Sequence, residues 1–224
     1  MELWRTRNES LELLESDFSE QKFILEQCFR LIDHCIDIFE DRAADSNPHY
    51  VYGITLVKAK NYALGSYGMM LDGLGQEAGA VMRPLIEYLE LLKYLRLFPE
   101  SIELALIGKI PNAGTRAKQI NGMHHEIRQY FNTYSSHSSY SEYAIKHLFE
   151  SGNSKLRKIQ PLSKETLFRN LGDLFAQLYI LLHESVLCIN NINEGITKDL
   201  ADFIDKLYLE GMKAFEFEQR LKQS

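Results

Sequence analysis

Two segments concentrate side chains able to do chemistry together. Arg83, Glu87 and Glu90 fall on adjoining turns of the run MRPLIEYLELLKYL, residues 82–95. Arg83 and Glu87 are four residues apart, the spacing at which helical side chains meet. They form either a salt bridge on a solvated helix edge or a polar cluster facing a cleft. The second segment is RQYFNTYSSHSSYSEY, residues 128–143, where Tyr134, His137 and Tyr140 stand among serines. A histidine held by hydroxyl groups can take or give a proton near neutral pH. It can equally be a structural, helix-capping residue. Lys155, Arg157 and Lys158, with Lys164 and Arg169 beyond, make the most basic stretch. Such a stretch is either a solvated loop or a patch that contacts phosphate without reading sequence.

Other chemistries fail on spacing. No histidine has a carboxylate three residues before it, His-x3-His pairs are absent, and no HExxH or zinc-type cysteine spacing occurs. Gly73, Gly75 and Gly79 imitate a dinucleotide loop, but one residue too many separates the last two and no strand precedes them. No Walker loop or Gly-x-Ser-x-Gly elbow is present. We therefore expect no cofactor and no metal. Cys28 and Cys35 are seven residues apart in a helical pattern, roughly 10 Å along the axis. A disulfide needs Cα atoms within about 7 Å, so both read as buried small apolar residues in a reducing compartment.

The elements that position these residues are helices. Over residues 18–41, Phe18, Leu25, Cys28, Phe29, Ile32, Cys35, Ile36 and Phe39 mark one helical face. Residues 41–50 read as a loop around Asn47-Pro48. A second helix over 50–74 holds several of the six glycines between 53 and 79. Glycine costs about 1 kcal/mol per helical site, so the run implies close helix approach, with a break at Asp72–Gly75. A third helix, about 76–97, carries Val81, Leu85, Tyr88, Leu89 and Leu92, with Pro84 predicting a kink or a late start. Pro99 opens a short helix, 108–114 is a loop, and helical spacing resumes over 115–134. Residues 151–163 form the longest loop, Ser163 caps a helix to about 190, and Gly195 precedes a last helix to about 221. The expectation is all-α: a single up-down type bundle of about seven or eight helices, one domain over 1–224.

The chain has 25 Lys plus Arg against 31 Asp plus Glu, a net charge of -6, which argues against a general nucleic-acid coat. The first residues do not form a signal peptide, and LFAQLYILLHESVLCI is interrupted by Gln177, His183 and Glu184. A cytoplasmic protein without membrane contact is the expectation.

The helix Arg83–Leu95, of the form R-x-x-x-E-x-x-x-x-L-x-Y-L, is followed roughly forty to fifty residues later by Tyr134–His137. This arrangement resembles the HEPN-like helical bundles of bacterial proteins, over about residues 70–145. The resemblance implies a compact all-α bundle, often a homodimer. It also implies an interaction or RNA-associated role, in phage defence or in toxin–antitoxin and stress responses. Some members are metal-independent endoribonucleases. Their signature has Arg and His on one helix, four to six residues between them. Here eight residues separate Arg128 from His137, and seven separate Arg116 from His124. By resemblance, His137, Arg83 and Glu87 are the catalytic candidates: His137 as base or acid, Arg83 as phosphate clamp, Glu87 as orienting partner. Tyr134, Lys155, Arg157, Lys158 and Arg169 are the RNA-binding candidates. A third alternative is a small-ligand site in the bundle beside Gly65 and Gly68.

Overall fold

A computed structural model describes residues 4–121, 148–150, 155–156 and 162–216. Eight helices run in order among them: α1 (Arg5–Ser16), α2 (Ser19–Glu40), α3 (Asn47–Leu71), α4 (Gly75–Leu97), α5 (Ser101–Leu106), α6 (Ala113–Gln119), α7 (Lys164–Asn191) and α8 (Lys198–Ala214). A minimal hairpin joins β1 (Phe149–Glu150) to β2 (Lys155–Leu156), antiparallel, with Glu150 opposite Lys155. The chain is an all-α bundle.

Four helices form its centre: α2, α3, α4 and α7 close a ring around one apolar core. On α2 the core residues Ile24, Leu25, Cys28, Leu31, Ile32, Cys35 and Phe39 repeat at helical spacing. Leu85, Leu89, Leu92 and Leu95 supply α4, while Leu171, Leu174, Leu178, Leu181 and Cys188 supply α7. Short turns make α2, α3 and α4 alternate in direction. The segment between Leu97 and Lys164 then returns the chain to the starting end, so α7 runs parallel to α4. Contacts at both ends fix this sense. Lys164 pairs with Asp17 at the start of α2, and Asn170 lies against Gly75 at the start of α4. At the other end Arg96 meets Glu184, and the Cys188 thiol points to the Leu92 carbonyl at 3.8 Å.

Helix α8 packs against α2, where Gln21 donates to the Ala214 carbonyl at 2.7 Å, and lays its aromatic rings on α7. Tyr208 stacks on Tyr179 with centroids 4.6 Å apart, and Phe215 stacks on Phe175 at 5.2 Å. Gly211 is required against the Phe175 ring, because a Cβ there would sit 2.0 Å from Phe175 Cζ. Helix α1 crosses the end where α3 finishes. Its Arg7 grips Asp72 through two hydrogen bonds, of 2.7 and 2.6 Å, and donates to the Gly68 carbonyl. That carbonyl lies in the last turn of α3 and also accepts from the Asp72 amide at 3.2 Å.

Several boundaries differ from the sequence reading. Helix α3 begins at Asn47, with Pro48 in its first turn, so the proline starts a helix rather than a turn. Pro84 lies well inside α4, which begins at Gly75; Pro84 cannot donate to the Ala80 carbonyl, yet the helix runs on. Pro99 precedes α5 instead of opening it. Helix α6 starts at Ala113, and Asn121 at φ 45° ends that stretch within the described residues. Residues 151–163, read as a plain loop, include strand β2. Helix α8 stops at Ala214, because Glu216 adopts φ 52°. The break at Asp72–Leu74 holds, with Gly73 at φ 77°. Ser163 caps α7, accepting from the Thr166 amide at 3.2 Å.

Candidate functional site

Arg83 and Glu87 meet on α4, with Nε to Oε1 at 3.2 Å, both side chains partly exposed. Glu90 and Tyr94 continue the same stripe at the next helical steps, and both are buried. The stripe is thus accessible at Arg83–Glu87 and closed at Glu90–Tyr94. Helix α6 packs against α4, and its Arg116 donates to the Pro111 carbonyl at 2.6 Å. An exposed i,i+4 ion pair contributes about 0.5 kcal/mol, too little to explain either residue by stability alone.

His137 and Tyr134, and Arg157 and Lys158 of the basic stretch, lie outside the described residues. Lys155 is exposed on β2. Arg169 is exposed and bonded to Glu165 one turn earlier at 3.2 Å. Lys164 pairs with Asp17 and stands 5.8 Å from the Phe18 ring centroid. The Lys164 ammonium, through a hydrogen bond and its charge, holds the Asp17 carboxyl below its ordinary range. Two of the three described cations of the basic stretch are therefore matched by carboxylates. The glycines meet their neighbours. A Cβ on Gly65 would touch Val81 at 3.6 Å, and one on Gly68 would lie 3.8 Å from Arg7. The small-ligand alternative gains no support at these two positions.

Sequence spacing missed two polar groupings that only packing assembles. In the first, Arg96 Nε donates to Glu184 Oε1 at 2.5 Å, joining α4 to α7 near the far end of the core. Glu184 raises the Arg96 guanidinium further above its ordinary value, chiefly through that hydrogen bond. Cys188 lies one turn after Glu184; burial, reinforced by the Glu184 charge, pushes its thiol well up. Burial likewise pushes Tyr52 up to about 12. In the second, Ser46 Oγ lies 2.7 Å from His49 Nδ1, and His49 Nε2 lies 3.5 Å from Glu194 Oε1. Arg42 binds that same carboxylate oxygen at 2.9 Å, and its hydrogen bond and charge, with His49, hold Glu194 below its ordinary range. The interrupted apolar pattern at Glu184 was the one sequence signal for the first grouping. The second had none, because Asn47-Pro48 read as a turn.

No cluster of three or more metal-ligating side chains occurs among the described residues. Cys28, Cys35 and Cys188 are free thiols, each buried. Burial pushes Cys28 and Cys35 up to about 12. Because the thiolate is the reacting form, none of the three should react with Ellman's reagent in the native protein at pH 8, and all should react after unfolding. Fast labelling of any one in the native state would contradict this burial. Helix α7 is long and apolar enough to cross a membrane, the one such helix among the described residues. Here its apolar side chains fill the core of the ring.

Fold and site together define an all-α helical bundle with a polar stripe on its third long helix. Comparison of the chain with family models, curated proteins and solved structures gives no match.

Proposed function

We propose that the chain is a HEPN-like helical interaction module that works as a homodimer, pairing through the outward face of α3. The observation that supports this reading is that α3 is apolar on both sides. Its inner side carries Tyr52, Leu56, Ala59 and Ala63 into the core. Its outer side repeats Tyr50, Ile54, Val57, Asn61 and Leu64, of which Tyr50, Ile54 and Leu64 are 48%, 45% and 43% exposed. Lys58 and Lys60 flank this stripe, and an exposed apolar row of this kind is a place where a partner is expected. This stripe extends about 21 Å and bears no charge. Val57 sits at its middle, where a two-fold axis would bring it against its own copy, with Asn61 one turn further on. Exposed Leu104 and Leu106 on neighbouring α5, and Ile107 just after it, widen the apolar area.

The pairing of cations favours a protein partner over RNA. Arg7, Arg42, Lys60, Arg83, Lys164 and Arg169 each hold a carboxylate. A phosphate would have to displace it. Light scattering on purified protein should give twice 26.0 kDa. Ile54→Glu with Leu64→Glu should return the monomer with unchanged helix content, since both positions are exposed. A monomeric wild type at tens of micromolar, or an unaltered dimer in the double variant, would overturn the reading. The endoribonuclease alternative rests on accessible Arg83 and Glu87, and on His137. Its test is RNA cleavage in EDTA by wild type beside His137→Ala, at matched melting temperatures; retained cleavage in the variant removes it.

A further inference from the structure

At the end of the bundle remote from α1, the loop before α3 and the loop after α7 bring three residues of complementary chemistry together. Ser46 is the residue before α3, yet its side chain does not cap that helix. It is turned instead to His49 Nδ1, 2.7 Å away. His49 is 2% exposed, wedged edge-on against Phe39 with centroids 6.5 Å apart. Its other ring nitrogen makes no close hydrogen bond, and faces Glu194 Oε1 at 3.5 Å. Glu194 itself is fixed by Arg42. A hydroxyl on one side of an imidazole and a carboxylate on the other is the order of groups that activates a serine. The ring is held by packing, with the hydroxyl beside one nitrogen and the carboxylate facing the other. Ser46 is only half-buried, in the loop between α2 and α3. The first turn of α3 lies beside it, and the positive end of a helix favours an oxyanion there.

We propose that Ser46, His49 and Glu194 form a nucleophilic serine site that accepts the acyl group of small carboxylic esters. Ser46 Oγ attacks the ester carbonyl carbon, and its proton passes to His49 Nδ1. Glu194 faces Nε2 and stabilises the imidazolium; the 3.5 Å contact shortens as that charge appears. The tetrahedral adduct collapses with cleavage of the bond to the alkoxy oxygen, which takes the proton from Nδ1 and leaves as the alcohol. Water, deprotonated by the same nitrogen, then attacks the acyl–Ser46 carbonyl. It releases the carboxylic acid and restores the hydroxyl. Ser46 and His49 are catalytic residues, and Glu194 is a positioning residue. The site is independent of the α3 face and of His137.

The test is wild-type full-length protein treated with a fluorophosphonate probe, followed by peptide mass spectrometry, alongside hydrolysis of p-nitrophenyl acetate. The expected result is an adduct on Ser46, and hydrolysis reduced about 100-fold or more in Ser46→Ala and in His49→Gln. Glu194→Gln should slow labelling about tenfold, and Glu194→Asp should recover part of that loss, which a purely structural carboxylate in an exposed loop would not do. An unlabelled Ser46 in the wild type, or an adduct confined to other residues, overturns the proposal whether or not any variant folds. Hydrolysis persisting in Ser46→Ala does the same.

Discussion

Replacing Arg96 with methionine should lower unfolding free energy by about 3 kcal/mol, read as a shift in the urea midpoint at constant slope. Methionine keeps the length and apolar stem, so little packing is lost. What is lost is the 2.5 Å partner of Glu184, whose side chain is 8% exposed. A carboxylate left there has neither water nor a cation. Arg96 is itself 20% exposed, so the variant falls at the lower end of the range for broken buried pairs. The double variant Arg96→Met with Glu184→Leu removes both charges and should recover most of the loss. A single variant costing under about 1 kcal/mol would mean that water reaches Glu184 and that the pair is a surface feature.

Gly211→Ala should be nearly as damaging, about 2–3 kcal/mol, although alanine is the better helix former by about 1 kcal/mol. The added carbon would fall 2.0, 2.5 and 2.6 Å from three atoms of the Phe175 ring. Phe175 is 1% exposed and cannot turn away, being stacked on Phe215 and against Tyr179. Either the ring leaves its rotamer or α8 lifts from α7. Gly75→Ala provides the contrast. Its nearest neighbour at 2.6 Å is the amide tip of Asn170, a flexible end that can rotate aside, so that variant should be near neutral. Thermal melts of the two variants should differ by several degrees or more. Equal melting temperatures would show that α8 is loosely attached.

Much of the bundle was legible because its cues are local. The helical face from Leu25 to Phe39, the break at Asp72–Leu74 and the cap at Ser163 each depend on residues within a few positions. At Pro84 the helix expected over about 76–97 is present from Gly75 to Leu97, and only the late start does not occur, because the buried leucines of α4 outweigh the few kcal/mol that proline costs inside a helix. Asn47-Pro48 misled because the same dipeptide suits a turn and a first helical turn equally. The site was legible only as far as one helix reaches. Arg83 with Glu87 follows from spacing, but the burial of Glu90 does not. Arg96 with Glu184 and His49 with Glu194 join residues 88 and 145 positions apart. Nothing but the packing of α7 against α3 and α4 brings them together.

That packing has a consequence in time. On the ribosome, α2, α3 and α4 are complete once Leu97 has been added, and they can fold on one another as α4 clears the exit tunnel. Their shared trough stays open until α7, ending at Asn191, has been made. At about 5–20 residues per second the intervening stretch takes on the order of 5–20 s. During that interval Leu85, Leu89 and Leu92 have no lid, while α7, when it emerges, is itself apolar enough to seek a bilayer. The nascent chain therefore passes through a sticky, unfinished state whose length is set by the crossover. Chaperone occupancy of the ribosome-bound chain should rise after residue 97 and fall once α7 has cleared the exit tunnel.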